Sequence, residues 1–394
     1  MPRVPYDMES RAPYRVNLVS DAEYDRRLTA LRGGMSKAGL DAVVVYGTRE
    51  APENVEYLTN FAPVVGSAFV VVHADGRMSL ATDAVMHGEP MHSMIWMCRV
   101  PDVRVVLRRP VYGGPIDGAA QLAADALGGG KRVGIIGSAL LPHPVYSALM
   151  ARLPQLQAAD AILAEIRRYK SDEEIGKLRE AGRIADEAMA AAFGLLREGI
   201  EETELAAAAV QRMHALGATE AFATSIVSGP RAGLKHSHPR RRRLEKGDMV
   251  FIDLGASFDG YKSDVSRCTM VGGASGVGRE LLTMGLELHD AGLAAIRPGV
   301  TVDGVAQALA AVVRGTPYEQ YYCPGQFGHC LGVSLFEAPG LFAGNPAELR
   351  PRMTMAYEPM VVMENVGTGV VEDTILITES GWEPLSRYPT VTWE

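Results

Sequence analysis

Apolar and polar positions along the chain switch repeatedly between a helical and a strand period. Tyr24, Leu28, Leu31 and Met35 form one stripe across residues 21–39, and Gly39 stops the helix that this stripe predicts. The run Ala42-Val43-Val44-Val45 predicts a strand over residues 41–46. Further strands are predicted over 67–73 and 78–81, joined at Asp75-Gly76, and over 104–107 and 131–136. Gly113-Gly114 and Gly128-Gly129-Gly130 punctuate this region, and Gly113-Gly114-Pro115 reads as a turn rather than a phosphate loop. Strands alternating with helices make residues 1–160 an expected α/β domain, entered through a polar, proline-containing arm over residues 1–20.

The segment Arg167-Arg168-Tyr169-Lys170-Ser171-Asp172-Glu173-Glu174 marks the passage to a second expected domain, residues 161–394. Ser171 and Glu174 have the spacing of a capping box. The helix behind them is predicted to run to about Arg197, burying Ile175, Leu178, Ala185, Met189, Phe193 and Leu196, with Gly199 ending it. A second helix spans 203–216, stopped by Gly217. Then the apolar strand Met249-Val250-Phe251-Ile252-Asp253-Leu254 ends on a carboxylate. Phe258-Asp259-Gly260-Tyr261 turns the chain. A strand over 263–271 carries Asp264 near its start. Paired antiparallel strands can set Asp253 and Asp264 on one face, where two buried anions require a proton or a cation.

The helix–helix–strand order recurs about one hundred residues later. Leu196-Arg197-Glu198-Gly199-Ile200 and Ile296-Arg297-Pro298-Gly299-Val300 each sit between two helices. Residues 249–254 have a counterpart in 353–362, and Asp264 has one in Glu372. Each half therefore supplies two carboxylates: Asp253 and Asp264, then Glu358 and Glu372. Alone, each reads as a strand-end cap or a surface carboxylate. At matching places in a repeat they converge on a pseudo-twofold axis.

Composition narrows the partners. A chain of 394 residues, 47% hydrophobic and 22% charged, is long enough for two globular cores. A net charge of -8 argues against a general nucleic-acid binder. The run Arg240-Arg241-Arg242-Arg243 is local and is followed by Glu245 and Asp248. It reads as a solvated turn, with attraction of an anionic substrate or sealing of a subunit interface as the functional options. Cys98, Cys268, Cys323 and Cys330 form no CxxC pair, which favours reduced thiols and a cytoplasmic location. The first residues lack a signal-peptide core, and no apolar run is long enough for a bilayer, so no membrane partner is expected.

Gly328-His329-Cys330-Leu331-Gly332 adds an imidazole between glycines, in chain order between the two carboxylate pairs. Asp253, Asp264, His329, Glu358 and Glu372 make an oxygen-rich set with one nitrogen. Such a set suits two divalent ions, manganese first and cobalt, iron or zinc as alternatives. Two ions sharing carboxylates can hold a hydroxide and polarise a carbonyl.

The block from Gly247 to Asp264, Gly328-His329, Tyr357-Glu358-Pro359 and Val371-Glu372-Asp373-Thr374 together resemble the M24 family of methionine aminopeptidase, aminopeptidase P, prolidase and creatinase. That resemblance covers residues ~165–385 closely and implies an α+β pita-bread catalytic domain with an internal pseudo-twofold repeat. The N-terminal part resembles more loosely the α/β domain of prolidase and creatinase. By resemblance Asp253 chelates one metal and His329 with Glu358 the other, while Asp264 and Glu372 bridge. Glu358 doubles as proton carrier. His236 takes the place of a substrate-contacting histidine that steadies the carbonyl or oxyanion, with His238 as its neighbouring competitor.

Two departures stand out. Where prolidase-like enzymes carry a second histidine, this chain has Phe336, followed by Glu337. Where they carry an arginine before the last metal glutamate, it has Val370. Phe can neither donate to a carbonyl nor take a proton, so either a substrate with a less peptide-like leaving part or a more apolar pocket is expected. The resemblance implies an Xaa-Pro dipeptidase-like hydrolase of a C–N bond and a homodimer formed through the N-terminal domain. Hydrolysis of a small non-peptide amide, a lyase on the same metal scaffold and a non-catalytic binding module are the alternatives.

Overall fold

The structure, a computed structural model, describes residues 15–83, 97–106, 113–128, 132–234 and 236–393, the side chains of 222–224 excepted. The chain divides into two compact units between Arg167 and Arg168.

The first unit contains α1 (Asp21–Lys37), β1 (Ala42–Thr48), α2 (Glu53–Thr59), β2 (Ser67–His73), β3 (Met78–Thr82) and β4 (Asp102–Val105). It continues through α3 (Gly118–Leu127), β5 (Val133–Ile136), α4 (His143–Arg152), β6 (Gln157–Ala158) and α5 (Asp160–Arg168). The sheet order is β4-β3-β2-β1-β5-β6. The strand β1 is antiparallel to β2 and parallel to β5. Its valines Val43, Val44 and Val45 are completely buried, which explains an apolar run without alternation. The last predicted strand starts at Val133, because the Arg132 amide instead donates to Asp41 Oδ2 at 2.8 Å. The helices α2, α3, α4 and α5 were not anticipated. Residues 1–14 of the expected arm, Leu107, Gly129-Gly130 and Lys131, where the predicted strand 131–136 begins, lie outside the described residues.

The second unit opens with α6 (Asp172–Leu195) and α7 (Glu202–Ala215), followed by β7 (Glu220–Ser228), β8 (Met249–Phe258), β9 (Tyr261–Lys262) and β10 (Val265–Met270). Then come α8 (Gly276–Ala295), α9 (Val302–Val313), β11 (Gly328–Cys330), β12 (Glu337–Gly340), β13 (Thr354–Tyr357), β14 (Met360–Met363), β15 (Gly367–Ile377) and β16 (Trp382–Pro384). Both arms of the capping box form: Ser171 Oγ accepts from Glu174 N at 3.2 Å, and Glu174 Oε2 accepts from Ser171 N at 2.8 Å. Replacing Ser171 by alanine is expected to lower the unfolding free energy by about 1 kcal/mol. Urea denaturation at pH 7 measures this, and an unchanged midpoint would deny the cap any role.

The main path of the second sheet is β12-β11-β13-β15-β10-β8-β7. Reading outward from the central β15–β10 pair, each half contributes its strands in mirrored order. The helix connections repeat in detail. Gly199 and Gly299 have φ of 82° and 83°. Their amides donate to Leu244 O and Leu349 O, each at 2.8 Å. One apolar cluster joins α6 and α7 to Ile252, Leu254 and Val265. A second joins α8 and α9 to Tyr357 and Ile375. The Asp259-Gly260 turn has φ of 47° and 84°, both in the left-handed region that such a tight hairpin demands.

Candidate metal centre

The register of the second sheet brings together side chains far apart in sequence. Ser266 on β10 lies opposite Asp253 on one side and Glu372 on the other. Thr374 lies opposite Ala356, and Ala356 opposite His329. Residues two apart on a strand share a face. Asp264 therefore joins Ser266, Glu372 joins Thr374, and Glu358 joins Ala356. The alternate residues Ile252 and Leu254 point the other way, into the cluster with α6 and α7. The strand β10 begins at Val265, one residue after Asp264, because the Asp264 amide donates to Thr374 Oγ1 at 2.9 Å.

Ligand atoms of Asp264, His329 and Glu372 all lie within 4.8 Å of one another, and all three residues are buried. Asp253 and Glu358 line the same cavity, of about 280 Å³, with His236, Gln326, Leu335 and Phe336. A larger cavity of about 660 Å³ lies in the first unit, with Asp125, Arg132 and Arg152 on its walls. Among the described residues it gathers no metal-ligating cluster.

The donors fit divalent cations on two grounds. Asp264 Oδ1 is buried without a hydrogen-bond partner, a costly state for a carboxylate oxygen unless a cation faces it. The Glu372 carboxyl is pushed well above the usual range, first by burial and then by Asp264, Glu358 and Asp253. A divalent ion would relieve that repulsion. His329 Nδ1 stands 3.2 Å from Cys330 O. A carbonyl only accepts, so this contact assigns the proton to Nδ1 and leaves the Nε2 lone pair toward Asp264, whose Oδ2 is 3.5 Å away. Burial opposes the charged imidazolium, but Asp264 and then Glu358 outweigh it and raise the His329 pKa. The buried thiols of Cys268 and Cys330 are pushed up to about 12, so neither offers a thiolate at neutral pH.

His236 reaches the cavity wall, with its side chain 63% exposed and Nδ1 3.9 Å from Asp253 Oδ2. His238 is exposed and is not among the cavity's walls; its carbonyl accepts from Arg231 Nη2 at 2.9 Å. Phe336, 66% exposed, sets its ring centroid 4.5 Å from that of His329. Its neighbour Glu337 is tied to buried Lys170 at 2.8 Å. Val370 lies in the apolar cluster opposite Met360 rather than at the cavity. The arginine run is occupied within the protein: Arg242 pairs with Asp248 at 2.6 Å, and Arg241 and Arg243 approach Glu201, at the start of α7, at 3.3 and 3.4 Å.

Sequence reasoning missed Gln326 and Leu335, which come from loops without a periodic signal. It also missed Arg267, completely buried behind the ligand row. This arginine donates to Glu372 O at 2.6 Å and to Asp373 Oδ1 at 2.9 Å. Burial works against the Asp373 carboxylate, but Arg267 and His289 outweigh it and hold its pKa below the usual range. The signal was present: an arginine flanked by Val265, Cys268 and Met270 in a strand needs an internal partner.

A sheet duplicated about its centre, with carboxylates from both halves and an imidazole lining one cavity, defines a metal-dependent hydrolase. The description Metallopeptidase family M24 matches residues 176–379, and Creatinase/Prolidase N-terminal domain matches residues 27–169. The chain belongs to metallopeptidase family M24 and is a metal-dependent peptide hydrolase. It is 28% identical over 358 residues to an Xaa-Pro dipeptidase of Pyrococcus horikoshii, covering 90% of this chain and 94% of that one. To an Xaa-Pro dipeptidase of Pyrococcus furiosus it is 32% identical over 238 residues, covering 60% and 68%. The solved prolidase of Pyrococcus horikoshii OT3 superposes with a TM-score of 0.80 at 26% identity, over 92% of this chain and 99% of that one. These likenesses do not favour the small-amide, lyase or binding-module alternatives. Among the described residues no helix is long and apolar enough to cross a membrane.

Proposed function

We propose that this chain hydrolyses Xaa-Pro dipeptides, using two divalent ions held by Asp253, Asp264, His329, Glu358 and Glu372. The observation that carries this reading is the convergence of Asp264, His329 and Glu372 ligand atoms within 4.8 Å, beside Asp253 and Glu358 in one cavity. The names of the relatives support the substrate class. Asp253 would hold one ion, His329 with Glu358 the other, and Asp264 and Glu372 both. When bound, the ions supply Lewis acidity and a water of lowered pKa.

The protein's own groups do the rest. Glu358 carries the proton from the attacking water to the leaving nitrogen. His236 donates to the carbonyl oxygen as negative charge develops there. Phe336 and Leu335 form an apolar wall suited to the pyrrolidine ring, and Phe336 adds no proton donor. Manganese is the proposed metal, because an oxygen-rich set with one imidazole suits it. Catalysis is assigned to residues 161–394. A homodimer in the cytoplasm is the proposed working form, in keeping with thiols that make no disulfide.

With manganese or cobalt supplied, a panel of Xaa-Pro dipeptides is expected to be cleaved, and His236→Ala to lower kcat by about 10²–10³-fold. A fully metal-loaded protein that turns over no proline dipeptide would exclude the dipeptidase reading.

A further inference from the structure

We propose that Glu202 is the positioning residue for His236, an inference that rests on His236 acting at the scissile carbonyl. Glu202 is the first residue of α7 and is 0% exposed. A carboxylate so buried needs a full set of donors for its oxygens. Glu202 Oε1 accepts from Ser228 N at 2.8 Å and Ser228 Oγ at 2.7 Å. Its Oε2 accepts from Arg231 Nη1 at 2.6 Å and Arg240 N at 2.8 Å. None of these donors is an amide of the helix's own first turn. Two come from Ser228, the last residue of β7, and two from the segment that follows it and carries His236, so the carboxylate serves that connection rather than its helix.

The restraint reaches both sides of His236. Arg231, held by Glu202, passes it on by donating Nη2 to His238 O at 2.9 Å. Ser225, opposite Asp253 in the sheet, donates Oγ to Ser237 O at 2.8 Å. Thr368 Oγ1 donates to Ala232 O at 2.9 Å. His236 itself has φ of 61°, in the left-handed region that a residue with a side chain adopts only when its surroundings impose it. With a side chain 63% exposed, the ring is not aimed by burial. The main chain beneath it sets where the ring starts from, and Glu202, which does not line the cavity, is one of the groups that hold that main chain.

Glu202→Gln tests the role, because an amide puts an NH₂ against one of the two donor pairs. Hydrogen exchange across 228–240 is expected to quicken, while β8 and β15 keep their protection. On a proline dipeptide kcat/KM is expected to fall about 10- to 100-fold through kcat, with bound metal unchanged. In a His236→Ala background the same substitution should change kcat/KM by less than about twofold, because the two residues act as one unit. Arg231→Lys, at a partly exposed site, is the variant that folds if Glu202→Gln does not. It keeps the charge but loses the fork that reaches Glu202 and His238 together, and should show the same pattern more weakly.

Losses that multiply across the two backgrounds, or metal content falling in step with activity, overturn the inference. Unchanged exchange in both variants overturns it independently of any turnover, even if no proline dipeptide proves to be a substrate. Full activity in His236→Ala removes the reading of His236 on which it stands, whatever the exchange shows.

Discussion

Replacing Asp264 by asparagine is expected to lower kcat more than about a thousandfold, since even groups that only orient metal ligands are worth about 10- to 100-fold in affinity. Asp264 is one of three residues whose ligand atoms lie within 4.8 Å of one another, and its Oδ1 has no protein donor. Asparagine keeps the size but removes the charge. Bound metal should fall with activity, as measured by elemental analysis after gel filtration. The metal-free variant should melt no lower than metal-free wild type, because one anion has left a crowded cluster. A variant that retains metal and turns over substrate would dismantle the assignment. One that melts well below metal-free wild type would show a structural role instead.

Removal of metal is the second large effect. Chelation should abolish turnover, and restored ion at one hundred times its dissociation constant should stabilise the fold by about 2.7 kcal/mol. The pH dependence has a definite sign. Burial, with Asp264, Glu358 and Asp253 nearby, holds the metal-free Glu372 carboxyl well above its ordinary 4.5. A carboxyl raised on folding contributes stability that is complete at acid pH and lost as pH climbs through the raised value. Metal-loaded protein escapes this loss, because its ligands stay deprotonated. The melting-temperature gap between loaded and stripped protein should therefore widen from pH 5 to pH 8. A gap that narrows over that range would place the charge elsewhere.

Much of the centre is legible in the sequence, because strand period and duplication carry it. Asp253, Asp264, Glu358 and Glu372 sit at corresponding places in two halves, and the paired glycines Gly199 and Gly299 mark the repeat in backbone as well as letters. The strand β7 was not read, since Ala221 to Ser228 mixes small, aromatic and hydroxyl residues without strict alternation. The helix α3 was passed over because its buried face is made mainly of alanines, which give a weak apolar stripe. Glu202 was invisible for a different reason. An acid at the start of a helix ordinarily complements the helix dipole, and only the fold reveals that its oxygens turn toward a distant loop.

The seam between β10 and β15, where Ser266 faces Glu372, has a consequence for biosynthesis. Each flank of the cavity comes from a different stretch of polypeptide, so a growing chain on the ribosome exposes Asp253 and Asp264 long before their partners exist. Two carboxylates cannot retain an ion against the chelators of a cell. A centre of the proposed kind therefore cannot be complete until Glu372 has been made and paired beside β10.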